Sequence, residues 1–200
     1  MTISFTGTPA HAAYPEFGRN PAHALGQMLC ALAEDADPAR YRGMVLCTVV
    51  GTKAGERAFG VAASTADLWL TIRGHFGDDL EALQARLTAR TRALAEADGL
   101  EVQFSVCDDF AETACAPALV ESVRAACVDA GLDVQEAAEP FRWSEDFGQF
   151  AALAPIVFFG VGAGETCPAL HTAAYEYPDD LLEPTSEAYF AIAQAVKIGG

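Results

Sequence analysis

The chain changes its hydrophobic pattern about halfway along its length. In the first half, four short apolar or alternating segments predict strands at residues 2–6, 44–50, 66–73 and 102–106. Apolar residues spaced three and four apart predict helices over residues 21–36 and 80–98. The predicted order is βαββαβ. This order is typical of an α+β ferredoxin-like sandwich, in which two helices cover one face of an antiparallel sheet.

The second half has a different pattern, which predicts three helices and two strands. The helices begin at Ala116-Pro117, at Ser144 and at Glu183-Pro184, and the strands span residues 132–135 and 155–161. The second strand is apolar throughout, as in strands buried on both faces. Because two strands are too few for an independent sheet, we expect part of a larger α/β domain. The expected boundaries are 1–108 for the first domain and 109–200 for the partial one.

The charge balance excludes several classes of function. Acidic residues outnumber basic ones 28 to 12, which gives a net charge of −16. Such a surface repels nucleic acid and anionic lipid, and no apolar run is long enough to span a bilayer. The N-terminus lacks the pattern of a secretion signal, and the six cysteines form no CxxC pair. We therefore expect a cytoplasmic protein with reduced, mostly buried thiols.

Two of the four histidines lie in settings that suggest chemistry. His11 follows the first predicted strand among small residues, and His171 follows a glycine-rich turn. Each also has a purely structural explanation, as a loop histidine or as a histidine paired with a nearby carboxylate. His23 and His75 have no spacing that suggests a role.

Four segments in order resemble the M20-type metallopeptidase and amidohydrolase family, which includes hippurate and N-acyl-amino-acid hydrolases. The first is Gly7–Pro21, which is similar to the opening of the family's lid, or dimerisation, domain. The second runs from Gly55 to a strand that ends Thr-x-Arg at Arg73. The third is Ser144-Glu145-Asp146-Phe147, and the fourth contains Leu170-His171-Thr172 with Tyr177 and Asp179-Asp180. The resemblance covers nearly the whole chain.

The resemblance implies a two-domain hydrolase that cleaves the amide bond of N-acyl amino acids or small peptides. Its catalytic domain would hold two divalent metals, zinc or manganese, and its lid would pair subunits into a homodimer. His171 would be a metal ligand, and Arg73 would bind the substrate carboxylate. His11 would reach the partner subunit's site and hydrogen-bond the carbonyl oxygen. Glu145 and Asp146 would lie near the metal site or orient His171.

Several observations weigh against a complete enzyme. The chain has no His-x-His, His-x-Asp or Glu-Glu pair, the motifs that carry most of the family's metal ligands and its general base. Gly60 and Ala63 stand where the family usually has Asn and Pro. We therefore expect the isolated chain to bind no catalytic metal and to be inactive. It would be a truncated hydrolase or be complemented by a separate N-terminal half; the alternative is a non-catalytic dimerisation or small-molecule-binding protein.

Two residue roles also have simpler explanations. Arg73 lies on the polar face of its strand and could be a solvated strand-end charge. Glu145 and Asp146 could complement the dipole of the helix that begins at Ser144. The sequence leaves these alternatives open.

Overall fold

The computed structural model describes residues 1–196, which fold as two compact units. The first unit comprises Met1–Asp109, and the second begins at Phe110. Within the described residues, no helix is long and apolar enough to cross a membrane.

The first unit contains a four-stranded antiparallel sheet and two helices. The strands are β1 (Thr2–Thr6), β2 (Val45–Ala54), β3 (Thr65–Gly74) and β4 (Glu101–Ser105); the helices are α1 (Ala22–Asp35) and α2 (Gly77–Ala97). The strand order across the sheet is β2-β3-β1-β4. The predicted elements are therefore present, and the mixed α/β class with an antiparallel sheet is confirmed.

Alternation along the strands separates a buried face from an open one. Ile3 and Phe5 of β1 and Leu68 of β3 are almost fully buried against helix residues such as Met28 and Leu87. The intervening positions of β3 lie on the opposite face, because successive side chains of a strand point in opposite directions. These are Asp67, Trp69, Thr71 and Arg73.

A bidentate ion pair joins the two helices of the first unit. Asp35, at the end of α1, is fully buried, and its two oxygens accept hydrogen bonds from Arg90 Nε at 2.6 Å and Arg90 Nη2 at 2.9 Å. The hydrogen bond to this carboxylate raises the pKa of the Arg90 guanidinium. Tyr41 donates to the Asp35 carbonyl oxygen, which connects the same point to the segment before β2.

The second unit contains two helices and two 3-10 segments. The helices are α3 (Pro117–Asp129) and α4 (Leu182–Ala195), and the 3-10 segments span Asp146–Ala152 and Asp179–Leu181. Its small core consists of buried Val123, Cys127 and Ala188 with partly buried neighbours. Many large apolar side chains stay exposed; among them are Trp143, Leu153, Tyr189 and Phe190.

The strands predicted at 132–135 and 155–161 do not form in the described structure. Val134 and Val157 pack against the α3–α4 core, so the apolar pattern correctly marked buried positions. Between residues 115–116 and 155–161, the backbone pairing is a single bond from Ala116 N to Ile156 O. A strand requires a neighbouring strand to share a regular ladder, and neither segment has one here.

Two smaller expectations also need correction. The segment after Ser144 is a seven-residue 3-10 helix rather than an α-helix, and no side chain caps its start. The thiols are not mostly buried: Cys127 is buried, but Cys30 and Cys107 are exposed. All six are free. Burial and the nearby Asp35 charge raise the pKa of the Cys47 thiol, which favours its protonated form.

Candidate functional site

His11 is held on a loop at the end of the sheet where β1 ends and β3 begins. It forms an antiparallel bridge with Val61, in the segment that connects β2 and β3. Ala12 N donates to Gly60 O at 3.0 Å, and Ala62 N donates to Ala10 O at 2.8 Å. The histidine is exposed. Two paired loop segments therefore present this imidazole to solvent on a fixed backbone.

The hydrogen bond to His11 determines which ring nitrogen is a donor. Ala13 N donates to His11 Nδ1 at 3.0 Å, so this nitrogen acts as an acceptor. In neutral imidazole the proton then lies on Nε2, which is an N–H donor. The exposed ring of Tyr14 lies beside it, with 5.9 Å between ring centroids. His11 is thus arranged to donate a hydrogen bond to an external acceptor.

Gly60 gives this loop no side-chain donor. A Cβ atom built there would meet no heavy atom within 4 Å, so packing does not require glycine at this position. Ala63 is likewise apolar, with its Cβ against Gly55. Residues 60–63, which lie beside His11, therefore offer backbone groups but no polar side chain.

Arg73 lies at the opposite end of the same sheet. It pairs with Leu46 near the end of β3, whereas the His11 loop adjoins the start of β3 at Thr65. Eight residues of extended strand separate Thr65 from Arg73, or roughly 27 Å. The structure therefore does not bring His11 and Arg73 together within one chain.

His75 lies just beyond Arg73, at a position whose spacing in the sequence suggested no role. Its backbone N–H donates to Met44 O at 2.9 Å, which continues the β2–β3 ladder past Gly74. Residue 75 lies in a bend beyond the strand, and its ring stacks on Phe76 with 4.4 Å between ring centroids.

His171 lies in the second unit with a left-handed backbone, at φ 67°. Histidine tolerates this region better than most residues, and such conformations are concentrated at functional sites. Thr172 secures the turn, because its N–H and its hydroxyl both donate to Ala169 O. The imidazole is exposed.

Glu145 and Asp146 are exposed at the start of the 3-10 segment. No hydrogen bond joins either carboxylate to His171 in the described part of the chain. Phe147, the next residue, packs in an aromatic cluster with Phe150 and Phe158, with ring centroids 5.6 Å from each. The segment is therefore anchored by its aromatic residue while both carboxylates face solvent.

The described residues do not fit a two-metal centre. Among residues 1–196 there is no group of three or more His, Cys, Asp or Glu side chains that could hold a metal ion. Structural and catalytic zinc sites use three or four protein ligands, and His171 supplies one. A metal site would require ligands from outside the residues described here.

Known proteins resemble this chain in two ways: a family model matches its first unit, and solved structures superimpose on most of its length. Residues 1–99 match the family model of the peptidase dimerisation domain of M20 type. A protein of methicillin-resistant Staphylococcus aureus described as an aminohydrolase superimposes on 96% of this chain with a TM-score of 0.80 and 20% identity. Aminopeptidase PepT from Bacillus cereus also covers 96%, with a TM-score of 0.65 and 19% identity. The aminobenzoyl-glutamate utilization protein of Klebsiella pneumoniae covers 76%, with a TM-score of 0.64 and 26% identity.

This chain spans only part of those proteins: 50% of the S. aureus protein, 49% of PepT and 38% of the K. pneumoniae protein. No curated protein sequence matches.

The fold and the family match define the class of the first unit, which is a peptidase dimerisation domain. Residues 1–99 belong to the M20-type peptidase dimerisation domain family. The family resemblance stated from the sequence motifs is therefore confirmed.

Proposed function

We propose that this chain supplies the lid and the C-terminal portion of the catalytic domain of an M20-type amidohydrolase. The complete enzyme would cleave the amide bond of an N-acyl amino acid or a small peptide. The lid, residues 1–108, would have ferredoxin-like topology, which the βαββαβ order and the strand order β2-β3-β1-β4 support. Residues 109–200 would belong to the catalytic domain.

The match of residues 1–99 to the dimerisation domain carries this proposal. The second unit adds support, because its few buried residues and many exposed aromatic ones are unusual for a self-contained domain. One relative is described as an aminobenzoyl-glutamate utilization protein, and aminobenzoyl-glutamate is itself an N-acyl amino acid.

His11 is the proposed donor to the substrate carbonyl. Its Nδ1 is engaged by Ala13 N, which leaves Nε2–H to stabilise the oxygen as it gains negative charge. Arg73 is the proposed clamp for the substrate carboxylate, since guanidinium binds carboxylates through two parallel hydrogen bonds. His171 is proposed as one ligand of a metal site completed by other residues, with Glu145 and Asp146 near it.

The separation of His11 and Arg73 favours a site shared between two subunits. A two-residue substrate spans about 7 Å when extended, far less than the separation along β3. β2 is an edge strand, and two copies paired antiparallel along it would place the Ala54 end of one beside the Val45 end of the other. Ala54 pairs with Ala66, at the end of the sheet that carries the His11 loop, and Val45 pairs with Gly74, next to Arg73. In such a dimer the partner's His11 would therefore lie at the same end of the joined sheet as Arg73.

A charged substitution on β2 tests whether this edge strand forms the dimer interface. Val50 is 62% exposed at the bulge near the middle of this strand. We expect the wild type to be a dimer at roughly 20 μM. In Val50→Lys, two like charges would meet near the two-fold axis and weaken the dimer about tenfold or more. Light scattering over a dilution series measures the change.

Val106→Lys is the matched control, because Val106 is an exposed valine just beyond β4 at the other edge. It should leave the dimer unchanged. A monomeric wild type contradicts the proposed assembly. Dissociation by Val106→Lys and not by Val50→Lys would assign the interface to β4 instead.

The isolated chain should not hydrolyse N-acyl amino acids or dipeptides, whatever divalent metal is added. The physical reason is that one imidazole cannot hold a catalytic metal, and among residues 1–196 no group of three or more possible metal ligands lies together. A chromatographic assay of the released amino acid checks this. Metal-stimulated turnover that His171→Ala abolishes would show that the chain is a sufficient catalyst and overturn the proposal of a partial domain.

A further inference from the structure

Large apolar side chains surround His11 on the surface of the first unit. Tyr14, Phe17 and Val61 are each more than half exposed. Single exposed apolar residues are common on protein surfaces, but a group of them beside a polar group is typical of a binding site. These three residues are called the His11 patch below.

Val61 and His11 lie directly opposite each other in two paired loop segments. Backbone hydrogen bonds of the neighbouring residues flank this pair on both sides, and none joins the two residues themselves. In an antiparallel ladder this is the closely spaced kind of pair, with about 4.5 Å between Cα atoms and both side chains on one face. The Val61 side chain is therefore a direct neighbour of the imidazole.

Three rings follow one another along the loop that carries His11. The ring centroids of His11 and Tyr14 are 5.9 Å apart, and those of Tyr14 and Phe17 are 6.2 Å apart. Tyr14 N donates to His11 O at 2.8 Å, and Phe17 N donates to Tyr14 O at 3.3 Å, so two consecutive turns hold this backbone. Gly18 lets the loop close tightly, because a Cβ atom there would lie 2.7 Å from the Ala10 Cβ. The backbone of the patch is therefore ordered before a ligand binds, which lowers the entropic cost of binding.

The acyl group of an amide substrate comes within reach of this patch. His11 Nε2 is the proposed donor to the carbonyl oxygen, and such a hydrogen bond is about 2.9 Å long. Paired aromatic rings have centroids about 4.5–7 Å apart, so a ring bonded to the carbonyl carbon can pack against Tyr14. The amine side of the substrate carries the carboxylate that Arg73 is proposed to bind. The acyl side is therefore the part of the substrate that the His11 patch can contact.

We propose that the His11 patch binds the acyl group of the substrate and selects amides whose acyl group is aromatic. The substrate ring packs against Tyr14 and extends the series of rings, while Phe17 supports Tyr14 and Val61 adds an aliphatic contact. This inference rests on the proposed role of His11, and Tyr14 determines specificity for the acyl group within it.

The test compares two ligands on the full chain by NMR titration. N-benzoyl-L-alanine and N-acetyl-L-alanine differ only in the acyl group. We expect the wild type to bind the benzoyl derivative about tenfold more tightly, as for partial burial of one phenyl ring. The benzoyl ring should also shift the methyl signals of Val61, and the acetyl group should not.

Tyr14→Ala should remove the preference and leave the affinity for N-acetyl-L-alanine unchanged. Tyr189→Ala is the matched control, because Tyr189 is an equally exposed tyrosine on α4 in the second unit. It should retain the preference, which separates the His11 patch from the exposed aromatic residues of that unit. His11→Ala should weaken the binding of both ligands alike.

The outcomes separate this inference from the proposed function. If the wild type shows no preference, if Tyr14→Ala keeps it, or if N-benzoyl-L-alanine causes no shifts at roughly 10 mM, the acyl-binding role of the patch is wrong. Loss of the preference in Tyr189→Ala would assign it to the second unit instead. If Tyr14→Ala removes the preference but His11→Ala changes neither affinity, the patch binds the acyl group and the proposed donor role of His11 is wrong.

Discussion

We expect His11→Ala to lower turnover about 10²–10³-fold, the usual loss for one donor to a developing oxyanion. The experiment uses an enzyme in which a catalytic segment with the missing metal motifs has been restored. Metal content should stay unchanged, because His11 lies on the lid and donates to substrate. His171→Ala should instead lower metal content, since it removes a proposed ligand. Steady-state kinetics and elemental analysis of both variants measure these effects.

Mixing the two variants tests the arrangement across subunits. A mixed dimer pairs one intact His171 site with an intact His11 from the other chain, so some activity should return. If mixed dimers form and no activity returns, His11 does not act on its partner's site. Loss of metal in His11→Ala would show that the two assignments are wrong.

Arg90→Ala should destabilise the first unit by about 1–3 kcal/mol, because it leaves the buried Asp35 carboxylate without its hydrogen-bond donor, while Arg90 itself is 30% exposed and partly screened by solvent. Asp35 is fully buried, and Arg90 supplies both hydrogen bonds to its carboxylate oxygens. Urea unfolding measures the change. The background variant Trp143→Phe leaves Trp69 as the only tryptophan, so fluorescence reports the first unit alone.

Arg86→Ala is the matched control for this prediction, because Arg86 is an exposed arginine one turn earlier on α2. Its effect should be within about 0.5 kcal/mol. Equal effects of the two substitutions would show that the ion pair with Asp35 contributes nothing specific to stability.

The starts of α1 and α3 were predictable because their signals are local. Asn20 Oδ1 accepts from Ala22 N at 3.0 Å at the start of α1, as the Asn-Pro sequence predicts. Pro117 is the first residue of α3, as the Ala-Pro sequence predicts, although no side chain caps that helix. The extended segments of the second unit were not predictable from such signals. Their apolar pattern indicates burial, but a strand also needs a partner, which is a property of the rest of the fold.

For the candidate site, too, the sequence predicts one part and the fold decides the other. The sequence motifs identified His11, Arg73, Glu145, Asp146 and His171, but they give no information on the distances between these residues. The separation of His11 from Arg73 follows from the antiparallel register, which only the folded sheet defines.

By itself, the sequence determined the element order of the first unit, its buried and open faces and its family. Periodicity and turn residues act over a few positions, so they can be recognised along the chain. Only the tertiary structure decided the burial of Asp35 against Arg90 and the ends of the sheet at which the candidate residues lie. These depend on contacts between residues far apart in sequence, whose geometry exists only once the strands have paired and the helices have packed on them.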